Sequence, residues 1–147
     1  MPVVEITKLR LKGLTVHDPA LLESLSLVRD KLQTNSRFFS CIGDSSLIYI
    51  FGVWANLDAH LAFLASPARN EVLAPQEEML DLQWTVHLEL NSFSPHLLDS
   101  AFVAIERFKV DPGHLTTYDQ VVKEHVRQLQ MKKSLCDARM AMRHSNG

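Results

Sequence analysis

The sequence predicts an α+β domain of order β-α-β-β-α-β, followed by a shorter β-α piece, and three observations carry that prediction. Leu82 to Leu90 alternates, with Leu82, Trp84, Val86, Leu88 and Leu90 on one face and Gln83, Thr85, His87 and Glu89 on the other. Period-2 alternation marks a strand between two different environments. Leu47 to Trp54 (LIYIFGVW) is apolar on both faces, which suits a central strand covered on each side. Leu21, Leu25, Val28 and Leu32 recur at helical spacing between two strand-like runs.

The elements can be justified in order. Val3 to Leu11 (VVEITKLRL) is β-branched and partly alternating, which predicts a first strand. Asp18-Pro19 supplies an N-cap followed by proline at the first helical position, so a helix is expected from there to about Gln33. Phe38 to Ile42 makes a short second strand, and Gly43-Asp44-Ser45 is turn chemistry before the third strand, 47–54. Asn56 can cap a helix bearing Leu57, Leu61 and Leu64; Ser66-Pro67 breaks it and restarts a helical stretch to about Leu80. Strand 82–90 closes a ferredoxin-like unit, one antiparallel sheet with helices on one face. The expected division is residues 1–92 for this unit and 93–147 for the addition, with Asn91 to Pro95 as the linker. In the addition, Phe102 to Val110 reads as a strand and Asp111-Pro112-Gly113 as a loop. A helix capped by Thr116 or Thr117 then runs through Tyr118, Val122, Val126 and Leu129. Arg139 to Gly147 reads as a helix end and a frayed tail.

Helices on one side leave the other sheet face with Ile48, Ile50 and Trp54, or with Tyr49 and Phe51, depending on register. A patch of that size predicts a homodimer in which two sheets pack face to face as a dimeric α+β barrel. Strand 102–110 could then cover a sheet edge, in its own subunit or the partner's. On this arrangement Leu82, Trp84, Val86, Leu88 and Leu90 meet the helices, while Gln83, Thr85, His87 and Glu89 face the barrel interior. Polar groups enclosed beside aromatic rings form the kind of pocket that takes a small molecule.

Bulk properties narrow the function classes. With 147 residues and 46% hydrophobic content the chain can bury one domain core. A net charge of −2 and a pI of about 6.4 give no basic field for nucleic acid. No signal-type apolar region or membrane-length run is present in the sequence, so a cytoplasmic protein with no membrane partner is expected. Cys41 and Cys136 make no disulfide framework, and no Cys/His spacing suggests a metal. His114 and His125 would lie roughly 16 Å apart along a helix, too far to share an ion. Lys132-Lys133 reads as a helix end complementing its dipole.

His87 is the leading catalytic candidate, since imidazole can take and give a proton near neutral pH. Glu89, two residues on, could orient it or act as a second carboxyl group; a plain interface hydrogen bond is the rival reading. His60 lies on or beside the buried stripe of its helix, where it could act in catalysis or simply fix the helix. Trp54 is either core or a pocket wall against which a planar substrate stacks, whereas Trp84 reads as core. Tyr49, Gln83 and Thr85 are the remaining candidates for substrate contact.

The run Trp54-Ala-Asn-Leu-Asp-Ala-His60, then Phe63, Ser66-Pro67, Asn70, and finally Trp84 and His87, resembles the antibiotic biosynthesis monooxygenase-like family of dimeric α+β barrels, particularly its small fungal members. The resemblance spans about Val3–Leu90 and implies the barrel more than a reaction. The family includes cofactor-free oxygenases of polyketide aromatics, haem-degrading enzymes, decarboxylases, isomerases, cyclases and proteins without known activity. The haem-degrading pattern is not met, because no asparagine lies on the first strand. The expected function is therefore a cofactor-independent enzyme of polyketide-like metabolism. It would use acid–base chemistry on a small apolar organic substrate for cyclisation, isomerisation or dehydration. A cofactor-free monooxygenase and a non-catalytic ligand-binding or accessory pathway protein are the alternatives.

Overall fold

The computed structural model describes residues 1–89, 98–131 and 139–142, with side chains placed up to Gln128. Leu90, the expected linker 91–95, Lys132-Lys133, Cys136 and residues 143–147 lie outside the described residues. The chain divides into two compact units, Met1–Ser94 and Pro95–Gly147. The first contains β1 (Val3–Leu11), α1 (Pro19–Leu32), β2 (Arg37–Ser40), β3 (Leu47–Trp54), α2 (Leu57–Ala65), α3 (Ala68–Met79) and β4 (Leu80–Glu89). Its sheet is antiparallel throughout, in the order β2-β3-β1-β4. This is the ferredoxin-like α+β arrangement that the element order predicts. No described helix is long and apolar enough to cross a membrane.

Local chemistry sets the helix ends. Asp18 Oδ1 accepts from the Ala20 amide at 3.0 Å, with Pro19 at the first helical position. Asn56 Oδ1 accepts from the Ala59 amide at 2.7 Å and starts α2. Ser66-Pro67 separates α2 from α3, and α3 accommodates Pro75 within its length. One core forms where α1 meets the sheet: Leu21 and Leu25 pack with Leu9, Leu11, Ile48 and Leu80. Gln76 of α3, also buried, donates to the Ser24 carbonyl at 3.4 Å.

The register overturns the expected orientation of β4. Glu5 pairs with His87 and Thr7 with Thr85, while Ile6 pairs with Val86 and Lys8 with Trp84. Next along β1, Leu9 pairs with Leu82, so Gln83 is an extra residue in a β-bulge. Thr85 and His87 thus share the helix-facing side with Leu80 and Leu82, while Trp84, Val86 and Leu88 face the other way. Leu82 and Trp84, expected on one face, are on opposite faces because the bulge breaks strict alternation. The physical reason lies on the neighbouring strand: Val4 and Ile6, fully buried, occupy the face away from the helices together with Phe51. That face is the more apolar at this end of the sheet, and the polar side of β4 turns toward the helices.

The second unit contains β5 (Ala104–Arg107), a 3-10 turn at Pro112–His114, α4 (Leu115–Met131) and β6 (Arg139–Met142). The expected strand 102–110 is shorter than its hydropathy suggests. Residues 139–142, expected as a helix end and frayed tail, instead form a strand paired in parallel with β5 in a two-stranded sheet. Within this unit the Phe108 and Tyr118 rings lie 6.0 Å apart.

Candidate active site

The helix-facing side of β1 carries a carboxylate and a hydroxyl, Glu5 and Thr7, directly opposite His87 and Thr85 of β4. Trp54 ends β3 on the same side, and α2, capped by Asn56, brings His60 over it. These side chains line a cavity of about 350 Å³ between the sheet and all three helices. Its apolar walls include Leu25, Val28, Phe38, Ile50, Phe63 and Leu73. A cavity of this size, mostly apolar with a few convergent polar groups, suits a small organic ligand.

The polar groups form one connected chain. Trp54 Nε1 donates to Glu5 Oε2 at 2.7 Å, and Thr7 Oγ1 donates to Glu5 Oε1 at 2.6 Å. His60 Nε2 lies 3.5 Å from Glu5 Oε2, while His60 Nδ1 is 2.7 Å from His87 Nε2. The Trp54 indole stacks on the His60 ring, with centroids 4.4 Å apart and planes inclined by 19°. Trp54 is therefore occupied in holding His60, with Phe63 on it as well at 5.7 Å.

The carboxylate selects a tautomer. A bare nitrogen lone pair facing Glu5 would be repelled, so His60 carries its proton on Nε2 and presents the Nδ1 lone pair to His87. His87 must then donate from Nε2, which leaves its Nδ1 lone pair as the end of the chain. A proton gained there places positive charge on His87 that His60 can share and Glu5 can balance. Glu5 and His87 approach opposite ring nitrogens of His60, so the three do not surround one point where an ion could sit. Among the described residues no cluster of three or more His, Cys, Asp or Glu is placed to hold a metal.

Burial pushes the His60 imidazole below its ordinary value of 6.5; the Glu5 charge opposes the shift and His87 adds to it. The unfolded chain thus takes up a proton at this position more readily than the folded one. The stability it contributes is complete above pH 6.5 and is lost as pH falls from there through the lowered folded value. We expect the thermal midpoint to fall between about pH 6.5 and pH 5, before most carboxylates titrate. In His60→Asn the slope over that interval should flatten, and an unchanged slope would assign the acid sensitivity elsewhere.

Of the residues singled out from sequence, the structure brings His87, His60, Trp54 and Thr85 together on this cavity. It does not bring the other three there. Tyr49 lies on the opposite sheet face against Trp84, ring centroids 6.0 Å apart. Gln83 is the exposed bulge residue, and its amide reaches the Asp81 carbonyl at 3.4 Å. Glu89 is exposed at the strand end and does not line the cavity. The carboxylate beside the histidines is Glu5, which sequence reasoning missed; the available signal was the single acid in the partly alternating strand Val3–Leu11.

No protein-family model and no curated protein matches this sequence. Solved structures do. The cofactor-independent oxygenase SnoaB of Streptomyces nogalater aligns with 10% identity over 60% of this chain and 91% of its own, at a TM-score of 0.50. A candidate antibiotic biosynthesis monooxygenase of Bordetella bronchiseptica aligns with 13% identity over 60% of this chain and 95% of its own, at 0.52. At such identities the likeness is one of backbone and not of side-chain chemistry. This chain has the fold of the antibiotic biosynthesis monooxygenase-like structures.

Proposed function

We propose that this protein is an acid–base enzyme of polyketide-like metabolism that works without a bound metal or organic cofactor. His87 Nδ1 takes a proton from an acidic C–H or O–H of an apolar, ring-containing substrate seated between the sheet and the helices. The observation that supports this most is the chain Glu5–His60–His87, which ends on the cavity wall. His60 orients His87 and shares its charge, and Trp54 and Thr7 hold Glu5. Returning the proton to another atom of the substrate gives isomerisation, cyclisation or dehydration. Acid–base assistance is worth roughly 10²–10⁴ in rate, and holding the substrate in one conformation lowers the barrier by several kcal/mol more.

The fold likeness to a cofactor-independent oxygenase supports a second reading, in which the carbanion made by the same base reacts directly with O₂. A homodimer belongs to the same proposal, and a single-chain mass by size exclusion in dilute buffer would remove it. The free thiol of Cys41 suits a reducing, cytoplasmic setting.

Anthrone separates the readings, because its C10–H is acidic and its oxidation to anthraquinone consumes one O₂ and releases one water. Under nitrogen in D₂O, enzyme-accelerated deuteration at C10 is the expected result for a proton-transfer enzyme. Anthraquinone formed only in air, with matching O₂ uptake, would establish the oxygenase. Tight binding of anthrone with neither reaction would leave a ligand-binding protein.

A further inference from the structure

The hydrogen bonds around Glu5 run in one direction, and that direction constrains what the cavity can hold. A carboxylate only accepts, and an indole N–H only donates. Trp54 Nε1–H and the Thr7 hydroxyl both point at Glu5, at 2.7 and 2.6 Å. The Thr7 hydroxyl proton is thereby spent, yet Thr7 Oγ1 also lies 2.9 Å from Thr85 Oγ1. In that contact Thr85 must be the donor. A threonine hydroxyl has one proton and two lone pairs, so Thr85 presents lone pairs alone to anything in the cavity it lines. By the tautomer argument above, His87 Nδ1 does the same.

We infer that Thr85 is a specificity-determining residue whose Oγ1 accepts a hydrogen bond from a hydroxyl of the ligand, and that Glu5 enforces this polarity through Thr7. Thr85 and His87 stand on the same side of one strand, two residues and therefore roughly 7 Å apart. The cavity consequently prefers, among naphthalene-sized diols and their ethers, a flat molecule carrying two hydroxyl donors at about that spacing, and disfavours the matching ethers. An ether oxygen opposite Thr85 would set lone pair against lone pair and leave no proton between them. This rests on reading the cavity as the ligand site, but not on His87 being catalytic.

The test uses 2,7-dihydroxynaphthalene, its monomethyl ether and its dimethyl ether, titrated by calorimetry at pH 8 against the full chain. Wild type should bind the diol about tenfold more tightly than the monoether and the monoether more tightly than the diether, tenfold being roughly one good hydrogen bond. Thr85→Val should bind diol and monoether alike, while Thr85→Ser keeps the wild-type order, which separates lost acceptance from lost folding. Glu5→Gln should shrink or reverse the preference, because the amide can donate to Thr7, Thr7 can then donate to Thr85, and the Thr85 proton is free to turn into the cavity. Equal affinity of wild type for all three probes, or a preference untouched in Thr85→Val, would overturn the inference and leave the acid–base proposal standing. Failure of all three to bind at millimolar concentration would overturn the ligand cavity and both readings with it.

Discussion

Replacing His87 with glutamine should lower kcat for proton transfer by about 10²–10⁴ while shifting the thermal midpoint by no more than a few degrees. Glutamine is close in length and its amide can donate to His60 Nδ1, as His87 Nε2 does across 2.7 Å. The neighbouring ring therefore keeps its partner and its orientation. What is lost is the second nitrogen, the lone pair that takes the proton. His87→Ala is the less informative variant, because it strips His60 Nδ1 of a donor and opens a void next to a buried ring. Deuterium incorporation into anthrone, followed by proton NMR, reads the rate without requiring that the natural substrate be known. A glutamine variant that exchanges deuterium as fast as wild type, with the same stability, would remove His87 from the role of base. The effect should appear in kcat rather than KM, since the glutamine variant still closes the same cavity wall.

How far the sequence reveals this arrangement depends on the range of the interaction concerned. Helix starts are local, and Asp18-Pro19 and Asn56 place them because a cap and its amide partner lie within three residues of each other. The strand character of 82–89 is equally local. Its orientation is not. Which face of β4 meets the helices depends on Val4, Ile6 and Phe51 claiming the opposite side, and on a bulge at Gln83 that no hydropathy pattern encodes. The same limit explains why Glu89 stood in for Glu5. Glu89 is two residues from His87 in sequence, whereas Glu5 reaches the site only through the pairing of the first strand with the last and through a histidine on an intervening helix. Tyr49 and Trp54 show the converse: both sit on one apolar strand, and only the cross-strand register sends the first outward and the second to the cavity. The parallel pairing of Arg139–Met142 with β5 is likewise a contact between distant segments.

Glu5→Leu should destabilise the first unit by about 2 kcal/mol, against well under 1 kcal/mol for Glu5→Gln, and both should depress proton-transfer activity. The two opposing terms can be weighed. Glu5 is largely buried, its side chain only 16% exposed, so removing the carboxylate relieves a desolvation penalty and leucine adds apolar contact. Against this, the Trp54 indole N–H and the Thr7 hydroxyl donate to the carboxylate, and the His60 Nε2–H faces it at 3.5 Å. Leucine leaves the Trp54 and His60 N–H groups without that acceptor, while the Thr7 hydroxyl can turn to Thr85 Oγ1, 2.9 Å away. His60 is itself buried, so water from the cavity can replace only part of what is lost. Each unsatisfied donor costs about 1–3 kcal/mol, so the orphaned groups outweigh the relief. For a unit of this size the midpoint should fall by roughly 10 °C. Glutamine keeps one oxygen for Trp54 and nearly the same shape, so its effect on stability is small. It still removes the negative charge that balances a proton taken up by the His60–His87 pair. Scanning calorimetry of both variants checks the order. A leucine variant at least as stable as wild type would mean that the buried charge costs the fold more than its three partners return, and Glu5 would then be held there for the chemistry of His87 alone.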